Sequence, residues 1–143
     1  MRPVTAALIT SMMLAGAAFA ADPTQPEAIA RATLMQEVGR NSKILGDMAG
    51  GKSGYDAAAA EAARAALIKA AGEIDTVFAT EGAPDDVSEA LPAIWTSWGD
   101  FTTKSAAFAQ AAAGLDTGSA ETIKVGMGAI GGSCKGCHSV YRE

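Results

Sequence analysis

The chain has 143 residues, of which 49% are hydrophobic, with 11 basic and 16 acidic side chains. The net charge of −5 argues against nucleic acid as a partner, because an acidic protein is repelled by a phosphate backbone. The length suits one domain with a core of its own.

The first twenty residues have the pattern of a secretory signal peptide. Arg2 precedes an apolar run from Val4 to Phe19, which ends in the small-x-small motif Ala18-Phe19-Ala20. A membrane anchor is the alternative, but the run is shorter than the ~20 residues that a span needs, and no basic flank follows it. We therefore predict cleavage near Ala20/Ala21 and a mature domain over residues 21–143, exported to the periplasm and without a membrane span.

Alanine is abundant and β-branched residues are sparse in the mature chain, which favours helices separated by glycine and proline. Residues suited to a core recur at alternating spacings of three and four, as they do in helices that pack in a bundle. These predicted core stripes are Met35, Val38, Ser42, Leu45 and Ala49 in the first helix; Ala60, Ala63, Leu67, Ala70, Ile74 and Val77 in the second; Ile94, Trp98, Phe101, Ser105, Phe108, Ala112 and Leu115 in the third; and Ile123, Met127, Ile130, Cys134, Cys137 and Tyr141 in the last. A loop from Glu81 to Glu89 separates the second helix from the third. The predicted helices are about Pro26 to Ala49, Asp56 to Ala79, Leu91 to Leu115 and Ser119 to Tyr141. The fold class that these segments predict is all-α, an antiparallel four-helix bundle.

The last helix contains the motif Cys134-Lys135-Gly136-Cys137-His138. Residues at positions i, i+3 and i+4 share one face of a helix, so both thiols and the imidazole point the same way. Two thiols at this spacing can each add to one vinyl group of a porphyrin, while the imidazole binds the iron. The motif therefore predicts one covalently attached haem c, with His138 as the proximal iron ligand.

Three other uses of the motif fit the sequence less well. A zinc site needs about four ligands, but the chain has only two cysteines and one histidine, so a carboxylate would have to complete it. A redox-active dithiol is expected at the start of a helix after a strand, and Cys134 lies near the end of a helix. A disulfide between cysteines three residues apart in a helix would be strained.

No second histidine exists, so methionine is the candidate for the opposite face of the iron. Met127 is eleven residues before His138 on the same helix, about 16 Å along its axis, and cannot reach that face. Met48 is at the far end of the first helix. Met35 is in the early part, which faces the motif if the first and last helices are antiparallel. From periodicity alone, Met35 is equally well interpreted as an iron ligand and as a residue that fills space beside the haem.

The chain resembles the class II cytochromes c, the family of cytochrome c′ and its low-spin relatives of the c-556 type. The resemblance covers nearly all of the mature chain. It rests on the position of Cys-Lys-Gly-Cys-His-Ser-Val-Tyr-Arg at the end of the last helix and on Leu34-Met35, Gly39-Arg40-Asn41 and Leu45-Gly46 in the first. It implies that Met35 is the distal ligand, that Arg31 approaches a haem propionate and that Arg142 lies beside the proximal ligand. An ordinary solvated arginine is the alternative for Arg31, and a favourable contact with the helix dipole is the alternative for Arg142.

The resemblance also implies the function. Its low-spin branch predicts an electron carrier that is not an enzyme and that exchanges electrons with redox partner proteins. The high-spin branch, with five-coordinate iron that binds nitric oxide or carbon monoxide, is the alternative. A third reading is a structural bundle held by a metal or disulfide. Relatives often dimerise through their first two helices, and the alanine-rich faces here permit a homodimer.

Overall fold

The computed structural model describes residues 22–143, so the predicted signal peptide lies outside the described residues. In this part the chain forms five α-helices: α1 Pro26–Ala49, α2 Ala57–Phe78, α3 Ala93–Thr96, α4 Trp98–Ala113 and α5 Ala120–Tyr141. The helix α1 packs against α2 and α5, and α4 packs against the same two, so the four long helices close a ring. The predicted fold class, an all-α four-helix bundle, is confirmed. None of the helices within 22–143 is long and apolar enough to cross a membrane.

Local sequence explains most helix ends. The carboxylate of Asp56 accepts a hydrogen bond from the Ala59 amide at 2.8 Å, which makes it the N-cap of α2. Ser119 begins α5 through a reciprocal capping box with Thr122. Gly50 ends α1, and Gly51 follows with a φ of 69°, a conformation that residues other than glycine rarely adopt.

The third predicted helix differs from the structure, because it is broken at Ser97. The backbone there has φ −127° and ψ 41°, so the short α3 and the longer α4 run separately. The segment from Trp95 to Trp98 consists of residues with weak helix propensity, so interrupting the helix there costs little free energy. The indole of Trp95 donates a hydrogen bond to the Phe78 carbonyl at 2.8 Å and so holds α3 against the end of α2.

The core follows the predicted stripes closely. Ala60, Ala63, Leu67, Ala70 and Ile74 of α2 are all buried, as are Phe101 and Phe108 of α4 and Ile123 and Ile130 of α5. In α1, Val38 and Leu45 are buried as predicted, whereas Met35, Ser42 and Ala49 are half-buried. The stripe in α1 is wider than predicted, since Leu34 and Met48 are also buried.

One end of the bundle is held together by Tyr141, the last residue of α5. Its side chain is 3% exposed, and its ring meets Phe101 edge-on with centroids 5.4 Å apart. Its hydroxyl donates to Asp100 Oδ2 at 2.5 Å, and its carbonyl accepts from the Leu91 amide at 3.0 Å. The end of α5 is thereby attached both to α4 and to the segment before α3.

Two glycines of α5 test how tightly α5 packs. A Cβ on the half-buried Gly126 would overlap Cδ1 of Leu115, which is itself 3% exposed, whereas a Cβ on the exposed Gly128 meets nothing within 4 Å. We expect Gly128→Ala to stabilise the protein by about 0.5–1 kcal/mol through helix propensity. Gly126→Ala should have an overpacking cost of roughly 1–3 kcal/mol set against the same gain. Denaturant unfolding of both variants checks this order, and equal midpoints would contradict it.

The contact between Tyr141 and Asp100 predicts a pH dependence of stability. The hydrogen bond to the Asp100 carboxylate raises the pKa of Tyr141 from 10.0 to about 12. The unfolded chain therefore releases this proton at a lower pH than the folded protein does. The stabilisation is fully present below pH 10 and is lost as the pH rises through about 12. Tyr141→Phe should remove this part of the alkaline dependence, measured as the free energy of unfolding between pH 9 and 12.

Candidate haem site

The predicted attachment residues lie in the last two turns of α5. Cys134, Cys137 and His138 are half-buried, and both cysteines are free thiols that pack against the hydrophobic core. Lys135 and Gly136 between them are exposed. The helical register therefore turns the two thiols and the imidazole inward and leaves the intervening residues in solvent.

Burial sets the protonation of these groups. It raises the pKa of both Cys134 and Cys137, and it lowers the pKa of His138, where the positive charge of Arg142 acts in the same direction. A neutral imidazole is the form that binds iron. Redox-active cysteines commonly have a lowered pKa in an electropositive setting, and burial shifts the pKa of both thiols here in the opposite direction.

The other two alternatives find little support in the geometry. The cysteines are unpaired thiols, not a disulfide. In the described range 22–143, no three side chains among histidine, cysteine, aspartate and glutamate are grouped so as to hold a metal ion.

Met35 lies on α1, which packs directly against α5. Its side chain is half-buried and contacts the same core as Cys134 and Cys137. The other mature methionines are placed differently, because Met48 is 6% exposed within the core and Met127 belongs to α5 itself. The structure thus brings Met35 and both thiols to one core, and coordination of iron by Met35 stays a prediction.

Arg31 is not a solvated arginine, so that alternative was wrong. It is only 6% exposed, and its Nη1 donates to the carbonyls of Thr80 at 3.2 Å and Glu81 at 3.0 Å. The guanidinium carbon lies 5.3 Å from the centroid of Trp95 and 5.9 Å from that of Phe78. Its Nε is buried without a hydrogen-bond partner in the described structure. A contact with a haem propionate stays a prediction.

Arg142 is exposed and forms the C-cap of α5, where its amide donates to the His138 carbonyl at 3.2 Å. Its Nη2 pairs with Glu89 Oε2 at 2.5 Å. The surface position means that the ion pair itself contributes little to stability. Arg142 follows His138 by four residues, about one turn of helix, and a role beside the proximal ligand stays a prediction.

Sequence reasoning did not identify two features of this end of the molecule. The first is the hydrogen bond between Tyr141 and Asp100, which joins residues 41 positions apart. The second is a cavity of about 310 Å³ that opens beside the end of α2 and is lined by Ala79, Trp95 and Trp98. Trp98 stacks on Phe101 at 5.3 Å, so the cavity is continuous with the aromatic packing around Tyr141. The sequence shows that aromatic residues cluster in the third predicted helix, but it does not show that Tyr141 bonds to Asp100.

The residues present fit a covalently attached haem. Two half-buried thiols and a neutral imidazole on one helix face supply the attachment groups and a nitrogen ligand, and a half-buried thioether lies on the neighbouring helix. The buried Nε of Arg31, at the same end of the bundle, has no hydrogen-bond partner in the described structure. It could donate a hydrogen bond to an acidic group such as a carboxylate.

Comparison with known proteins agrees with this chemistry. The family model for cytochrome c′ matches residues 27–142. Cytochrome c-554 of Cereibacter sphaeroides is 35% identical, over 100% of this chain and 99% of its own length. A structure of oxidised R. palustris cytochrome c556 has a TM-score of 0.73 at 31% identity and covers 84% of this chain and 98% of its own. A cytochrome c′ from Rhodobacter has a TM-score of 0.75 at 29% identity, over 81% and 94%. Members of this family carry covalently attached haem c with iron, which confirms the predicted cofactor. The chain belongs to the cytochrome c′ family.

Proposed function

We propose that this protein is an electron carrier of a bacterial periplasm, with haem c attached through Cys134 and Cys137. His138 and Met35 are its axial ligands. The family assigns the chain to haem proteins of electron transfer or gas binding, and the choice between the two depends on the sixth ligand.

The observation that carries the proposal is the position of Met35. It is a half-buried methionine on α1, facing the core that Cys134 and Cys137 also contact. Met48 lies near the C-terminal end of α1, where the α1–α2 loop meets the α4–α5 loop through Tyr55 and Thr117, whereas the two cysteines lie near the C-terminal end of α5. Met35 is the one methionine in residues 22–143 that is half-buried on a helix other than α5.

The bound haem supplies a one-electron iron couple, and a methionine ligand opposite histidine raises its reduction potential. The protein would hold Met35 on α1 and His138 on α5 in fixed positions, so that the iron keeps the same ligands in both oxidation states. Leu34, Phe101 and Ile130 are buried in the core that Met35 and the cysteines contact, and this apolar core would keep water away from the iron. Arg31, through its buried Nε, would face a propionate.

The net negative charge of the protein suits an electron carrier. If the first twenty residues are removed as predicted, Arg2 is lost and the net charge becomes about −6, which suits electrostatic steering toward a basic redox partner. Proteins of this family are often dimers, and the exposed alanines of α2 would allow a second copy to approach closely. In this proposal the protein carries electrons and has no enzymatic activity of its own.

Gas binding is the second candidate, because one solved neighbour, at 27% identity and a TM-score of 0.64, is the nitric oxide complex of a cytochrome c′ variant from Alcaligenes xylosoxidans. In that case Met35 lines the distal pocket without binding iron, and the sixth position is open to nitric oxide or carbon monoxide. The coordination number of the ferric haem separates the two functions.

Met35→Leu tests the sixth ligand. The change keeps the volume and apolar character of the side chain but removes the thioether, so packing is disturbed little. We expect the wild-type ferric protein to be low-spin and the variant to become high-spin and to bind carbon monoxide readily when reduced. Visible absorption spectra check both results.

Met127→Leu is the matched control. Met127 is also half-buried against the core, but it lies on α5, away from the proposed ligand position, so the same substitution there should not affect the iron. Its spectrum should equal that of the wild type. A high-spin wild-type protein, or an unchanged Met35→Leu spectrum, would sink ligation by Met35 and favour gas binding.

The attachment residues predict a graded loss of covalent haem. Cys134→Ala and Cys137→Ala each leave one thiol and should retain haem through one bond, whereas the double variant should lose it in denaturing conditions. A haem-stained denaturing gel measures this. Haem retained by the double variant, or no stain in the wild type, contradicts attachment at these two positions.

A further inference from the structure

The last turn of α5 carries more than haem-binding groups. Tyr141 follows Cys137 by four residues and His138 by three, so its side chain lies on the same side of the helix as theirs. It is the most buried residue of this turn, at 3% exposure. The proposed function does not use it.

The hydroxyl of Tyr141 has a strong acceptor in Asp100, at 2.5 Å. A hydrogen bond to a charged acceptor is shorter and stronger than one between neutral groups. The carboxylate lies in the first turn of α4, where the helix dipole favours negative charge, and Lys104 lies 3.6 Å from the same oxygen. Asp100 is therefore kept ionised, and it ties the end of α5 to the start of α4.

The backbone of the same turn is tied on its other side. The Leu91 amide donates to the Tyr141 carbonyl at 3.0 Å, and the Glu143 amide donates to the Glu89 carbonyl at 2.9 Å. These bonds continue the chain past α5 alongside residues 89–91. The turn that holds His138 is thus held from two directions, and the Tyr141 side chain is the part that reaches α4.

We propose that Tyr141 is a positioning residue for the proximal ligand His138, acting through its hydrogen bond to Asp100. The proposal rests on His138 as the iron ligand, but it does not depend on the identity of the sixth ligand. Loss of the hydroxyl would leave the ring packed on Phe101 and free the end of α5 to shift, which tilts the imidazole relative to the iron.

The chain offers a matched control. Tyr55, its other tyrosine, also donates its hydroxyl to a residue distant in sequence, the Thr117 carbonyl at 2.7 Å. This bond joins the α1–α2 loop to the α4–α5 loop at the opposite end of the bundle from Tyr141. Tyr55→Phe therefore removes the same group and one interhelical bond far from the haem.

The experiment uses holoprotein carrying Met35→Leu, in which the sixth position is open whether or not Met35 binds iron in the wild type. Resonance Raman spectra of the ferrous protein report the Fe–His stretching band directly. Adding Tyr141→Phe should shift this band to lower frequency or broaden it, while adding Tyr55→Phe should leave it unchanged. Denaturant midpoints measured in parallel show whether both variants lose stability to a similar extent.

Asp100 supplies the second arm. Asp100→Asn keeps an oxygen that accepts the tyrosine hydrogen bond and should retain most of the parent band, whereas Asp100→Ala should reproduce the effect of Tyr141→Phe. Combining Asp100→Ala with Tyr141→Phe should add nothing further, since both remove one interaction.

An Fe–His band that is identical in the parent and in Tyr141→Phe overturns the proposal and leaves Tyr141 with a role in stability alone. A full extra shift in the double variant also overturns it, because the two residues would then act separately. A parent protein that is five-coordinate in its ferrous absorption spectrum and still shows no Fe–His band would instead refute His138 as the ligand, and with it the proposed function.

Discussion

The haem end of this bundle depends on one constraint of helix geometry. A single turn of α5 has to present the Cys137 thiol, the His138 imidazole and the Tyr141 phenol on one side, because residues three and four apart lie above one another. A displacement of that turn moves all three groups together. The contacts of Tyr141 with α4 and with residues 89–91 are therefore restraints on the cofactor site as well as on the fold.

The opposite side of the site is provided by α1, which reaches α5 directly in the ring of helices. Arg31 and Met35 are one turn apart on α1, but they make different contacts. Arg31 is buried and holds the carbonyls that follow α2, while Met35 is half-buried against the core shared with the cysteines. A buried guanidinium that lost these carbonyl acceptors would be costly, so Arg31 restrains the relative position of α1 and α2. In the proposed carrier, that restraint also limits how far Met35 can move.

Most of the fold could be predicted from local features of the sequence. Asp56 and Ser119 begin helices because their side chains accept hydrogen bonds from backbone amides three residues later. Gly50 ends α1, and its own amide donates to the Gly46 carbonyl. The seams of α2 and α5 follow from spacing alone. The break at Ser97 could not be predicted in this way, since the Trp95 indole binds the Phe78 carbonyl, which is distant in sequence. The burial of Arg31 was missed for the same reason, because its acceptors at Thr80 and Glu81 are about fifty residues away.

The sequence by itself determined the cofactor chemistry. Two cysteines and a histidine at fixed spacing on a helix share a face in any fold, so Cys134, Cys137 and His138 needed no tertiary information. Only the tertiary structure decided what surrounds them: that Met35 rather than Met48 is half-buried against the same core, and that Asp100 meets Tyr141. The physical reason is range. Helical periodicity acts over four residues, whereas hydrogen bonds between helices join residues farther apart in the sequence, 17 positions for Trp95 and Phe78 and 41 for Tyr141 and Asp100.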